Sequence, residues 1–116
     1  MTDCVFCKIA AKEISSDLVY EGEGIVAFKD IHPKAPVHVL IIPAKHLASL
    51  NDAKAEDLAL LGKLLITAKH VAQGTGIAKS GYRVILNCGE DGGQVVGHLH
   101  MHVLGGRKIG QKGEEL

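Results

Sequence analysis

The segment HLHMHVLGG, residues 98–106, alternates histidine with Leu99, Met101 and Val103. Side chains of a β-strand point alternately to opposite faces, and every second residue recurs about 6.6 Å along it. A helix would scatter the same residues around its circumference, so the stretch is predicted to be a strand. His98, His100 and His102 then share one face while the three apolar side chains enter a core. This constrains the fold to a sheet with packing on one side and chemistry on the other. Neighbouring imidazoles depress one another's protonation, so at least one is expected as a neutral base or nucleophile at neutral pH. Such a row suits attack on phosphorus or metal binding, and the spacing leaves both open.

The rest of the chain supplies the sheet and its cover. Phe6, Ile9 and Ala10 follow a helical spacing, which predicts a short helix or turn around residues 4–12. LVYEGEGIVAFKD reads as two short strands joined at Gly22 to Gly24, and VHVLIIP as a strand that Pro43 ends. YRVILNCG and HLHMHVLGG are the last strands. One long helix is predicted over residues ~53–73. Leu58, Leu61, Leu65, Ala68 and Ala72 form its stripe, and Leu60, Leu64 and Val71 widen it. Asn51 or Asp52 is expected to cap its start and Gly74 to end it. That order gives an α+β fold, a mostly antiparallel sheet with one long helix packed on one face. With 116 residues and no linker or internal repeat, residues 1–116 are expected to be a single domain.

Several function classes drop out. Basic and acidic residues balance at 13 each, so no field draws the chain to nucleic acid or to a membrane surface. The apolar runs are strand-sized, well short of the ~20 residues of a membrane span. MTDCVFCKIA lacks the pattern of a secretory signal, and three cysteines fit a reducing compartment, so a cytoplasmic location is expected.

Two further features carry chemistry. NCGEDGGQVVG sets Gly92 and Gly93 before the histidine strand, where bare backbone amides can approach a phosphate. Asn87, ending the neighbouring strand, is placed to hold a ribose hydroxyl or a phosphate oxygen. CVFC, with Cys4 and Cys7, is a C-x-x-C that alone fits either redox chemistry or half a zinc site. The βαβ pattern of a thioredoxin-like redox site is missing. Cys88 reads as a small buried residue, and His70 as solvent-facing.

HLHMHVL matches the His-x-His-x-His-x-x signature of the histidine-triad (HIT) nucleotide-binding family. The resemblance continues through CVFCKIAAKEI, VAFKDIHPKAPVHVLIIPAKH, GYRVILNCGEDGGQ and VLGGR, nearly the whole chain. DIHPKAPVHVLIIP, GGQ and LGGR resemble the branch that hydrolyses purine nucleoside phosphoramidates more than the dinucleoside polyphosphate hydrolases. By that resemblance His100 is the nucleophile on the α-phosphorus of an adenosine or guanosine 5′-phosphoramidate. His102 contacts the phosphate, and His38 sits behind the triad and orients it. Asp30 and Ile31 match positions holding the ribose and base, and Asn87, Gly93, Gln94 and Val95 those around the phosphate. Several relatives bind zinc through residues matching Cys4, Cys7, His46 and His98; this implies a structural zinc and no catalytic metal. The resemblance also implies a homodimer in which the sheets join and the long helices pack together.

The chain departs from this branch in three places. Many relatives carry a hydroxyl residue where this chain has Val95, and that hydroxyl is thought to help the amine depart. Gly97 replaces a usual aromatic, and the tail KIGQKGEEL lacks an aromatic end. Val95 favours a second reading, a purine-nucleotide-binding module of weak catalysis that acts through protein partners; the intact triad opposes it.

Overall fold

A computed structural model of the chain describes residues 4–110. The C-terminal part of the tail, like the first three residues, lies outside them. Helix α1 covers Val5–Ala10, followed by strands β1 (Leu18–Gly22), β2 (Ile25–Lys29) and β3 (Val37–Pro43). Two 3-10 turns, Leu50–Asp52 and Ala55–Asp57, lead into α2 (Leu58–Gly74), and β4 (Tyr82–Ile85) and β5 (Met101–Gly105) close the fold. The strands form one antiparallel sheet in the order β1-β2-β3-β5-β4. The α+β architecture is the one the strand order and the long helical stripe predict.

Alternation along the central strands builds two cores. Ile25 and Ala27 of β2, Val39 and Ile41 of β3, and Met101 and Val103 of β5 face α2, where Leu64, Ala68, Val71 and Ala72 meet them. The residues between them, Val26, Phe28, Leu40 and Ile42, face the other way and pack with Phe6 and Ile9 of α1. Both faces of β2 and β3 are therefore covered, and their sequences read as unbroken apolar runs. The second face is covered as well. The histidine face is not open to solvent: α1 lies over it, and His98, His100 and His102 are all buried.

The long helix differs in two ways from its prediction. It begins at Leu58, because local side-chain hydrogen bonds turn the preceding segment twice. Ser49 Oγ accepts from the Asn51 amide and Asp52 from the Ser49 amide, closing the first turn. Asp57 accepts from the Lys54 amide at 2.9 Å and from Lys45 Nζ at 2.7 Å. Neither Asn51 nor Asp52 caps α2. Its stripe is also rotated. Leu64, Thr67, Ala68, Val71 and Ala72 are buried, whereas Leu58 and Leu65 are 76% and 58% exposed.

Candidate active site and metal centre

Strand β5 and the residues just before it carry the histidines. The strand starts at Met101, three residues later than expected, because His98 and Leu99 bond elsewhere. The Leu99 amide donates to the Leu47 carbonyl at 2.7 Å, which ties this segment to the chain around His46. Leu99 still enters the core under α2, so the alternation persists beyond the ladder.

Obligatory donors and acceptors fix the state of each ring. The Lys34 amide donates to His38 Nδ1 at 3.0 Å, so that nitrogen bears a lone pair. The proton of neutral His38 is then on Nε2, 3.0 Å from His102 Nδ1, which accepts it. His102 in turn carries its proton on Nε2. Burial lowers the pKa of His38, with Lys34 adding to the effect and Asp30 opposing it. Burial also pushes His102 down to about 4, helped by the rings of His100 and His38. Both rings are neutral at neutral pH, as this chain of hydrogen bonds requires.

His100 is fixed the same way. Its Nδ1 lies 2.7 Å from the His98 carbonyl, which can only accept, so Nδ1 donates. In the neutral ring the lone pair is therefore on Nε2. Phe6 presses on this ring edge-to-face, with centroids 5.1 Å apart. In the sequence Phe6 stands out only as part of a helical spacing; no local signal tells that its partner is His100.

His98 serves a different cluster. Its Nε2 donates to the Pro43 carbonyl at 2.8 Å, leaving Nδ1 with the lone pair. That atom lies 3.2 Å from Cys4 Sγ, 3.6 Å from Cys7 Sγ and 3.1 Å from His46 Nδ1. Cys7 Sγ is also 3.2 Å from His46 Nδ1. All four donor atoms lie within 4.8 Å of one another. Metal–ligand bonds of ~2.0–2.3 Å place the corners of a tetrahedral S₂N₂ site roughly 3.3–3.8 Å apart. The spacing, the soft donor set and the inward lone pair of His98 all fit one four-coordinate ion. Asp30, His38 and His102 also lie close together. There the His38 Nε2 proton occupies the centre, so a metal fits poorly.

The other expected site residues fall around this row. Asp30 Oδ2 lies 3.4 Å from His38 Nε2, and its other oxygen accepts from the His32 amide. Ile31 is 85% exposed beside it. β4 pairs Ile85 with His102, and continuing that register by two residues sets Asn87 beside His100. Asn87 Nδ2 is spent on the Gly92 carbonyl at 2.7 Å, while its buried Oδ1 has no hydrogen-bond partner among the described residues. The remaining acceptor suits a hydroxyl and not a phosphate oxygen. Gln94 was expected at the phosphate. In the structure its side chain donates to the Ala48 and Val96 carbonyls and accepts from the Gly89 amide. Gly92 leaves no room for a side chain, since a Cβ there would meet the Cys88 carbonyl at 2.4 Å. Gly93 has a φ of 85°. Val95 projects into solvent, 87% exposed.

Known proteins share this fold. The HIT domain model matches residues 11–109. The chain belongs to the histidine-triad family. It is 46% identical over 108 residues to the purine nucleoside phosphoramidase of Escherichia coli, covering 93% of this chain and 91% of that one. A HIT-like protein of Synechococcus elongatus is 50% identical over 107 residues, 92% of this chain and 93% of that protein. Among solved structures, a HIT family hydrolase from Legionella pneumophila superposes with a TM-score of 0.92 at 48% identity. That match covers 95% of this chain and 98% of the other. Within the HIT fold, then, the three histidines of β5 and its lead-in divide their work. One turns toward the cysteines, and the other two lie on the same face beside Asn87 and His38.

Proposed function

We propose that this HIT protein is a purine nucleoside phosphoramidase, cleaving the P–N bond of adenosine or guanosine 5′-phosphoramidates. The observation that carries the reading is the fixed tautomer of His100. With Nδ1–H held by the His98 carbonyl, the lone pair that attacks phosphorus is on Nε2 and needs no base to expose it. The nearly full-length likeness to the Escherichia coli phosphoramidase supports the substrate class.

In the first step His100 Nε2 bonds to the α-phosphorus, the P–N bond breaks, and the amine leaves with its electron pair and takes up a proton. Water then attacks the nucleotidyl-histidine, releasing the nucleoside monophosphate and regenerating neutral His100. His102, held through Nδ1 by His38, turns its Nε2–H toward the phosphate oxygens. The Gly93 and Gln94 amides are held by the Glu90 and Gly89 carbonyls, so the amides that approach the phosphate oxygens are those of Gly92 and Val95. Asp30 and the free Asn87 oxygen accept from ribose hydroxyls, and Ile31 offers an apolar rest for the base. Zinc is the ion we assign to Cys4, Cys7, His46 and His98. Bound there it supplies structure, because four protein ligands leave no position open for substrate. No helix among the described residues is long and apolar enough to cross a membrane.

The test compares release of free amine from adenosine 5′-phosphoramidate with binding of adenosine monophosphate. Turnover with release of stoichiometric amine supports the enzyme. Tight nucleotide binding without turnover would instead make the chain a binding module, the reading that Val95 favours.

A further inference from the structure

Two routes join the Cys4–Cys7–His46–His98 cluster to the ring of His100. The first runs through α1. Cys4 is the N-cap of this six-residue helix, and its sulfur accepts from the Cys7 amide at 3.3 Å. Both sulfurs face His98 and His46, so a metal held there would fasten the helix by its first turn. Phe6 lies between the two cysteines. Its ring reaches His98 with centroids 5.9 Å apart, His100 at 5.1 Å and Phe28 at 5.7 Å. A helix this short has little stability of its own and takes its place from what it is tied to.

The second route is the backbone of His98. Its ring spans the cluster and the Pro43 carbonyl, so both ring nitrogens are engaged. The carbonyl of the same residue receives the His100 Nδ1 proton. Whatever fixes His98 therefore fixes the acceptor that selects the His100 tautomer.

We propose that this cluster positions the nucleophile, with Phe6 and the His98 carbonyl transmitting its hold to His100. The proposal rests on the phosphoramidase reading only for its kinetic consequence. Cys4, Cys7 and Phe6 are positioning residues: they act through His100 and take no part in the bond changes. The ring edge of Phe6 limits how His100 can tilt, and the His98 carbonyl holds the proton on Nδ1. Loss of either hold frees the imidazole to rotate and to exchange tautomers. Substrate binding through Asp30 and Ile31 is untouched, so the effect falls on kcat more than on KM.

Three samples test this: the zinc-loaded protein, the same protein after chelation, and zinc-loaded Phe6→Leu, with Cys7→Ser as a fourth. Zinc per chain is measured by elemental analysis, folding by circular dichroism, and the His100 tautomer by nitrogen-15 NMR of its ring. The zinc-loaded protein should show one Nδ1-protonated form of His100. Chelated protein, Cys7→Ser and Phe6→Leu should show mixed tautomers, with kcat lower by about 10-fold and KM moving far less. Chelated protein that stays folded, keeps the single tautomer and keeps its kcat overturns the proposal. So does failure of the protein to bind added zinc. Phe6→Leu that retains zinc with an unchanged His100 spectrum removes the helical route. Should Cys7→Ser fail to fold, the chelated sample decides. Absence of amine release by the zinc-loaded protein would count against the phosphoramidase reading, while the NMR comparison still decides the positioning.

Discussion

Val95 and His102 show how differently exposure acts on two residues expected at the same site. Val95 stands in solvent, so Val95→Ser should change stability by no more than about 0.5 kcal/mol. It can therefore be read kinetically. If a hydroxyl here helps the amine depart, the variant should gain on an alkyl amine leaving group and gain little on an aromatic one. Proton help from a positioned group is worth roughly 10²–10⁴-fold, of which a relaying hydroxyl supplies a part. Equal effects on both substrates, or none, would show that the missing hydroxyl does not limit the rate. His102 is buried, and its proton affinity is set by burial and by the rings of His100 and His38, with Asp30 opposing. An unfolded chain takes up a proton near the ordinary 6.5 while the folded one resists until about 4. Stability is thus complete above that upper value and is lost as pH falls through the window. The melting temperature should drop on acidification from near neutrality, and the drop should be shallower in His102→Gln. A melting temperature indifferent to pH across that window would contradict the buried neutral ring.

At the scale of elements, the helix and the histidine strand were legible to different degrees. Period-two alternation placed Leu99, Met101 and Val103 in the core correctly, because facing is a local property of extended backbone. The cover over His100 was not legible. It depends on where a six-residue helix docks, and that is decided by Phe6 meeting Phe28 and by the cysteine cluster, contacts far apart in sequence. The start of α2 was missed for a related reason. Asp57 spends its carboxylate on Lys54 and Lys45, so the segment before it turns twice before becoming helical. The stripe of α2 was too wide to assign by period alone. Leu64 is fully buried, and Leu64→Ala should cost about 2–5 kcal/mol. Leu58, Leu65 and Ile66 remain exposed on the same helix. The expected helix-to-helix homodimer would cover these residues. Leu58→Lys with Leu65→Lys should then convert a dimer to a folded monomer, read by light scattering. A wild-type monomer at micromolar concentration would contradict that arrangement.

For the whole molecule, the sheet sorts its two faces by task. One face packs on α2 and supplies most of the core, while the other, under α1, gathers Cys4, Cys7, His46 and His98 into one cluster whose His98 carbonyl accepts from His100. The sequence pattern singled out the histidine row, the C-x-x-C and Asn87, and the family resemblance added His46. What neither could supply was their contacts, because the Gln94 side chain bonds within its own loop and Phe6 lies on His100. The central claim is that His100 Nε2 carries the nucleotidyl group. Rapidly quenching the protein with excess adenosine 5′-phosphoramidate, then mapping peptides by mass spectrometry, tests it directly. An adenylyl adduct is expected on His100, absent from a folded His100→Ala variant that has lost turnover. An adduct on His98 or His102, or amine release undiminished in His100→Ala, would contradict it.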